Sequence, residues 1–279
     1  MQVGKASLRF EHPAFVASWA SVAGKKEGQG PLADEIDVKE QDEMFGMENW
    51  EQAESAMQKQ AADLALEKGN IHRREVRYLF AGDLLGQLIA TSFGTVDLEI
   101  PLFGLYGACS TMGEALSLGA MCVNAGYADR VLALVSSHYA TAEKQFRFPL
   151  EYGNQRPYSA TWTVTGCGAV IVSSGDCRGK EAPLAKITAV TTGKIVDMDF
   201  HDSMNMGAAM APEDVNLDPY IFRRAERCVS HIIRYYHNHS PVFPLERTET
   251  ENRQSHLIPY LTSSGILSAR MFFLSKHRR

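Results

Sequence analysis

No two cysteines in this chain are spaced Cys-x-x-Cys. The five that occur, Cys109, Cys122, Cys167, Cys177 and Cys228, are odd in number and widely separated. That pattern argues against a zinc ribbon and against a disulfide framework. No apolar run reaches the roughly 18 residues that span a bilayer. The N-terminus has no continuous apolar signal segment, because Glu11 and His12 interrupt it. A chain without a secretion signal is expected in a reducing compartment. There is no basic excess either: 28 Lys+Arg face 33 Asp+Glu, for a net charge of -5. Nothing in that balance points to nucleic acid. A phosphate-cradling Gly-rich loop with its lysine is also missing. His237-Asn238-His239 has no convincing third ligand, which argues against zinc there.

What remains is a globular chain of 279 residues, 45% hydrophobic, enough for one large or two moderate domains. Residues 13–23 are small and apolar and read as an early strand or buried turn. Residues 24–47 turn Gly-rich and then acidic, and read as a solvated surface excursion. Trp50 to Lys68 reads as a helix, with Ala53, Met57, Ala61, Leu64, Ala65 and Lys68 on one face. Glu51, Glu54, Gln58 and Lys59 fall largely elsewhere. Gly69-Asn70 ends it. Tyr78–Asp83 reads as a strand, Leu84 to Ala90 as a short helix closed by Gly94, and 102–105 as a buried approach to Cys109. A helix from Ser110 to Gly126 leads into Arg130–Ser137, an apolar strand covered on both faces. Thr161–Ser174 and Leu184–Val196 supply further strands. This order predicts an α/β layered fold. Beyond Pro212 the periodicity weakens, arginines accumulate, and five of the nine histidines appear.

The stretch with most chemistry is Tyr106-Gly107-Ala108-Cys109-Ser110-Thr111-Met112-Gly113-Glu114. It sets a cysteine where the chain enters a helix. Ser110 or Thr111 is expected to cap that helix. A thiol there meets free backbone N–H groups and the positive dipole end, which favour a thiolate. The competing expectation is a small buried hydrophobe. A nucleophile wants a base nearby. His138, just after the apolar strand, and His201 are candidates, although a loop histidine bonded to backbone is the commoner outcome. Asp83 is a third candidate, or a helix cap. Asn205 to Pro212 is a small-residue segment that brings backbone N–H groups close to a ligand or packs tightly.

With those residues in view, the chain resembles the stage V sporulation protein AD family of spore-forming Firmicutes, within the thiolase-like superfamily. The resemblance rests on Gly4–Phe10, Glu40-Gln41-Asp42, Leu79–Leu85 and Tyr106–Glu114. It also rests on Ser137-His138-Tyr139, Phe148–Gly153, Thr165–Ala169 and Asn205–Met210. It covers about residues 1–212. It implies a thiolase-like layered α/β fold, with a complete N-terminal half at 1–182 carrying Cys109. The start of a C-terminal half and a divergent tail would occupy 183–279. That second half is expected to be incomplete, as in a truncated or frameshifted reading frame, and no His-x-Gly-Cys-Gly-Ala motif follows. The resemblance further implies binding of dipicolinic acid, free or as its calcium complex, without a cofactor. Cys109, His138, Asn205 and Gly207 are the implied ligand-binding residues. Arg147 and Arg156 are candidate carboxylate partners, although surface arginines are the commoner outcome. Sister stage V membrane proteins at the inner spore membrane and a second copy of the chain are the implied partners. The alternative is an acyltransferase that uses Cys109 as its acylated nucleophile.

Overall fold

The computed structural model describes residues 1–146, 163–175, 185–193 and 267–273. Among these residues nine strands form one mixed sheet. They are β1 (Gln2–Val3), β2 (Ser7–Ala23), β3 (Val38–Lys39), β4 (Tyr78–Asp83), β5 (Leu102–Gly104), β6 (Arg130–Ser137), β7 (Gly166–Ser173), β8 (Ala185–Thr192) and β9 (Leu267–Phe273). The main order is β5-β4-β6-β7-β2-β8-β9, with β1 and β3 paired to β2. β4 pairs in parallel with both β5 and β6, whereas β7 runs antiparallel to β6 and β2. The C-terminal ends of β2, β4, β5 and β6 therefore share one edge of the sheet. The start of β7 lies there too.

The helices are α1 (Trp50–Gly69), α2 (Ile89–Gly94), α3 (Thr111–Asn124) and α4 (Tyr139–Phe146). Strand alternation divides the core in two. Leu79 and Ala81 of β4, and Leu132 and Leu134 of β6, meet Met57, Ala61, Ala62 and Ala65 of α1. Their neighbours Phe80, Val131 and Ala133 meet Ala115, Leu116, Ala120 and Val123 of α3 on the opposite face. This makes an α/β/α sandwich. The long β2 serves both faces because its pairing with β7 slips between Val16 and Ser18. The extra residue reverses the alternation. Val16 thus packs in the α3 layer, while Ala20 and Val22, of the same parity, pack in the α1 layer.

Most sequence expectations hold along this frame, with three corrections. The first concerns α1. Asn49 caps it by accepting from the Gln52 amide, and left-handed Asn70 (φ 48°) ends it. Its buried face, however, includes Glu54 and Gln58, both fully inaccessible, while Leu64 is half-buried and Lys68 exposed. The second is the helix expected from Leu84, which begins at Ile89 instead. Leu88 takes a left-handed conformation (φ 55°) that breaks any earlier start. Asp83 caps the helix from the strand end, accepting from the Thr91 amide at 2.9 Å and the Thr91 hydroxyl at 2.6 Å. The third is β5, an exposed edge strand rather than a buried one: Leu102 and Phe103 keep 40% and 49% of their surface. Phe103 stacks instead on Phe80, with ring centroids 5.1 Å apart.

The tail expected to lack core-forming periodicity nevertheless contributes β9, which pairs antiparallel with β8. β8 and β9, from the segment assigned to a second half, extend the sheet of residues 1–182. The rest of that second half lies outside the described residues.

Gly82 marks where the fold tolerates least. A Cβ there would collide with the Leu105 carbonyl oxygen and lie 2.7 Å from Thr111 Cγ2. Gly82→Ala is expected to cost about 1–3 kcal/mol, the usual range for overpacking. An unchanged urea midpoint would show that this approach is not tight.

Candidate functional site

Three connections meet at the shared edge: the loop after β4, the turn after β5 that carries Cys109, and the turn after β6 that begins with His138. In parallel sheets ligands collect at such an edge, where loops diverge beyond the strand ends.

The Cys109 turn is a single 3-10 turn, Ala108–Ser110, leading directly into α3. Ala108 takes a left-handed conformation, φ 49°, which costs a non-glycine residue about 1–2 kcal/mol. Three hydrogen bonds to side chains hold it, beside the backbone bond from the Ser110 amide to the Gly107 carbonyl. Ser110 Oγ donates to the Gly107 carbonyl (2.6 Å), Thr111 Oγ1 donates to the Ala108 carbonyl (2.8 Å), and the Gly107 amide donates to Thr111 Oγ1 (3.1 Å). Both hydroxyls thus bind the turn rather than capping the α3 amides, which corrects the capping expectation. Cys109 is exposed, Cys122 half-buried and Cys167 buried. Burial, reinforced by Glu54, pushes the Cys167 thiol well above its ordinary value and keeps it neutral. Of these three thiols, Cys109 is the one presented to solvent, so the buried-hydrophobe expectation does not describe it.

His138 is fully buried. Its Nδ1 accepts from the Ala140 amide at 3.2 Å, so Nε2 carries the proton and donates to the Glu43 carbonyl at 2.9 Å. Trp50 packs 5.3 Å away and Tyr139 stacks at 5.1 Å. Burial lowers the His138 pKa, against the pull of Glu43. This is a neutral histidine that caps α4 and is bonded to backbone on both sides. Tyr139 donates its hydroxyl to the Glu43 carboxylate at 3.0 Å, and burial helps push the phenol up to about 12. The excursion of residues 24–47 is therefore stitched to the site. Glu43 holds His138 and Tyr139, Glu27 accepts from the Thr165 amide at 3.2 Å, and Asp37 accepts from Ser21 and Lys68.

Beneath these turns lies a polar group that sequence reasoning missed. Glu54 Oε1 accepts from Ser136 Oγ at 2.8 Å, and Glu54 Oε2 lies 2.6 Å from Thr141 Oγ1. Gln58 donates to Ser136 Oγ (2.7 Å) and to Thr91 Oγ1 (3.1 Å), and Thr91 donates to Asp83. The available signal was the alanine stripe of α1: Glu54 and Gln58 share the face of Ala61, Ala62 and Ala65, at helical spacing. Asn205, Gly207, His201, Arg147, Arg156, Cys177, Cys228 and the His237–His239 pair lie outside the described residues. Among the described residues no cluster of three or more metal-ligating side chains occurs. No described helix is long and apolar enough to cross a membrane.

Burial raises the Glu54 pKa from 4.5 to about 7, with Asp83 and Glu51 adding repulsion. Folding therefore takes up a proton across that window, and the stability linked to it is lost as pH rises toward 7. Relative to Glu54→Gln, the wild-type protein is expected to lose about 3 kcal/mol from about pH 4 to about pH 8. Parallel urea titrations of the two proteins check this. A difference that does not vary with pH would mean that Glu54 titrates in the folded protein as it does in the unfolded chain.

The family model for stage V sporulation protein AD matches residues 4–230, running past the boundary expected near Pro212. Stage V sporulation protein AD of Bacillus subtilis is 44% identical over 212 residues, covering 75% of this chain and 60% of the relative. The chain thus spans about three-fifths of that relative's length. Among solved structures, a variant of OleA from Xanthomonas campestris gives a TM-score of 0.50 at 15% identity, covering 80% of this chain and 74% of that one. The 3-oxoacyl-(acyl carrier protein) synthase III of Xanthomonas oryzae gives 0.47 at 15% identity, covering 74% and 71%. The likeness to OleA concerns the fold alone, a thiolase-like layered α/β architecture. Because the family model matches more than half of its length, the chain belongs to the stage V sporulation protein AD family.

Proposed function

We propose that this sporulation protein binds dipicolinic acid, or its calcium complex, without chemical turnover. The binding would serve uptake into the developing spore and release at germination. Family membership supports the sporulation context. The observation that favours binding over catalysis is the state of His138, whose two ring nitrogens are both engaged by backbone. A histidine so held is not free to take a proton from Cys109. In this reading Cys109 lines the ligand's seat and His138 fixes the turn behind it. Asn205 and Gly207 are the further ligand-binding residues of this reading, assigned by the family resemblance. The protein would dock at the inner spore membrane with sister stage V proteins. It would pair with a second copy along β5, the end of the sheet among the described residues, where Leu102 and Phe103 lie exposed.

The acyl-transfer reading keeps one observation in its favour, the exposed Cys109 thiol held at the start of α3 by a left-handed Ala108. Calorimetric titration with dipicolinate, with and without calcium, separates the two. Saturable 1:1 binding with no mass added to Cys109 is expected, weakened about tenfold in Cys109→Ala. A covalent adduct on Cys109 after exposure to an acyl-CoA would establish the acyl-transfer reading. A folded protein that gives no heat with dipicolinate would leave a scaffold role.

A further inference from the structure

We infer that a proton on Glu54 is a working part of the site. It joins the turn after β6 to the loop after β4 through one buried hydrogen-bond chain, so ligand affinity at the Cys109 edge falls when that proton leaves. Glu54 is then a positioning residue. The affinity part of the inference rests on the binding reading above.

Thr141 has one hydroxyl proton, yet its Oγ1 lies 2.9 Å from the His138 carbonyl and 2.6 Å from Glu54 Oε2. A carbonyl and a carboxylate both accept, and one hydroxyl proton divided between them bonds each more weakly than it would bond either alone. A neutral Glu54 resolves this. Its O–H donates to Thr141, and Thr141 donates to His138. The rest of the chain then runs in one direction, with Gln58 Oε1 left without a partner. Ser136 donates to Glu54 Oε1, Gln58 donates to Ser136 and Thr91 with the Gly82 carbonyl at a longer 3.4 Å, and Thr91 donates to Asp83. One end fixes the carbonyl of the residue that caps α4. The other fixes Asp83, which also holds the Leu85 amide at 3.0 Å. The Cys109 turn lies against the same ground: Gly82, the neighbour of Asp83, abuts Leu105 and Thr111.

Removing the proton undoes this arrangement. Thr141 must then divide its one proton between the His138 carbonyl and a new carboxylate. That carboxylate faces Asp83 on β4 and Glu51 on α1, both acidic, and Cys167 on β7, a thiol held neutral. His138 beyond Thr141 is held neutral as well. None of these groups is a cation that would offset the charge, so the two loops loosen together.

Glu54→Gln is the direct test, because the amide donates to Thr141 and accepts from Ser136 as the neutral acid does. Dipicolinate affinity and Trp50 fluorescence would be followed from about pH 5.5 to about pH 8.5, a window centred on the raised Glu54 pKa. Trp19 and Trp162 would be replaced by phenylalanine so that the signal reports the ring beside His138. In the Glu54 protein, affinity is expected to weaken about tenfold across the window, with a fluorescence transition near its middle. In Glu54→Gln both readouts should stay flat. A transition that survives in Glu54→Gln, or none in the Glu54 protein, overturns the inference. If neither protein binds dipicolinate at any pH, the binding reading fails, and the Trp50 transition still decides the proton chain. Should the glutamine variant not fold, the infrared carbonyl band of a neutral buried carboxyl replaces it. That band must be present in the wild-type protein at about pH 5.5 and gone by about pH 8.5; its absence at the lower pH also overturns the inference.

Discussion

Asp83 and Ser136 stand opposite one another in the parallel register of β4 and β6, and this alignment places the polar interior of the molecule. Because β5 continues the same parallel ladder, the loops after all three strands leave from one edge. The Cys109 turn, the α2 cap and the α4 cap are brought together by strand direction alone. Gly82 admits the Leu105 carbonyl and Thr111 at that edge, so the turn can lie directly on the strand end.

The interior beneath that edge is polar for a reason of economy in hydrogen bonds. Two carboxyls, an amide and three hydroxyls sit among apolar layers, where an unpaired polar atom costs about 1–3 kcal/mol. Glu54, Gln58, Asp83, Thr91, Ser136 and Thr141 satisfy one another almost completely, leaving Gln58 Oε1 as the one atom of this group without a partner. Such a network is rigid while fully paired and weak once a member changes charge. It links α1, α2, α4 and the two central parallel strands in a way that apolar packing would not.

The acidic excursion of residues 24–47 gains a role in this arrangement. Its side chains are mostly solvated, as its composition suggests. A few of its groups nonetheless reach inward: the Glu43 carbonyl and carboxylate to His138 and Tyr139, and Glu27 to Thr165. His138 owes its burial to this strap and to Trp50 rather than to the strand it follows.

Local pattern by itself determined the strands Tyr78–Asp83 and Arg130–Ser137, helix α1 with its Asn70 stop, and the helix after Cys109. Each follows from apolar period and end residues, which act over a few positions. The motif around Cys109 also carried the family. Tertiary structure alone decided what lies between those elements. Glu54 and Gln58 read as solvated because charge and amide groups usually are, and only Ser136, Thr141 and Thr91, distant in sequence, make their burial affordable. Leu84–Ala90 looked helical until Asp83 captured Thr91 and moved the start to Ile89. Leu102 and Phe103 looked buried because they are apolar, but order in the sheet put β5 on its edge. His138 looked available because nothing nearby in the chain showed Glu43 arriving from 95 residues away. In each case the deciding partner lies far along the chain, and local periodicity carries no information about it.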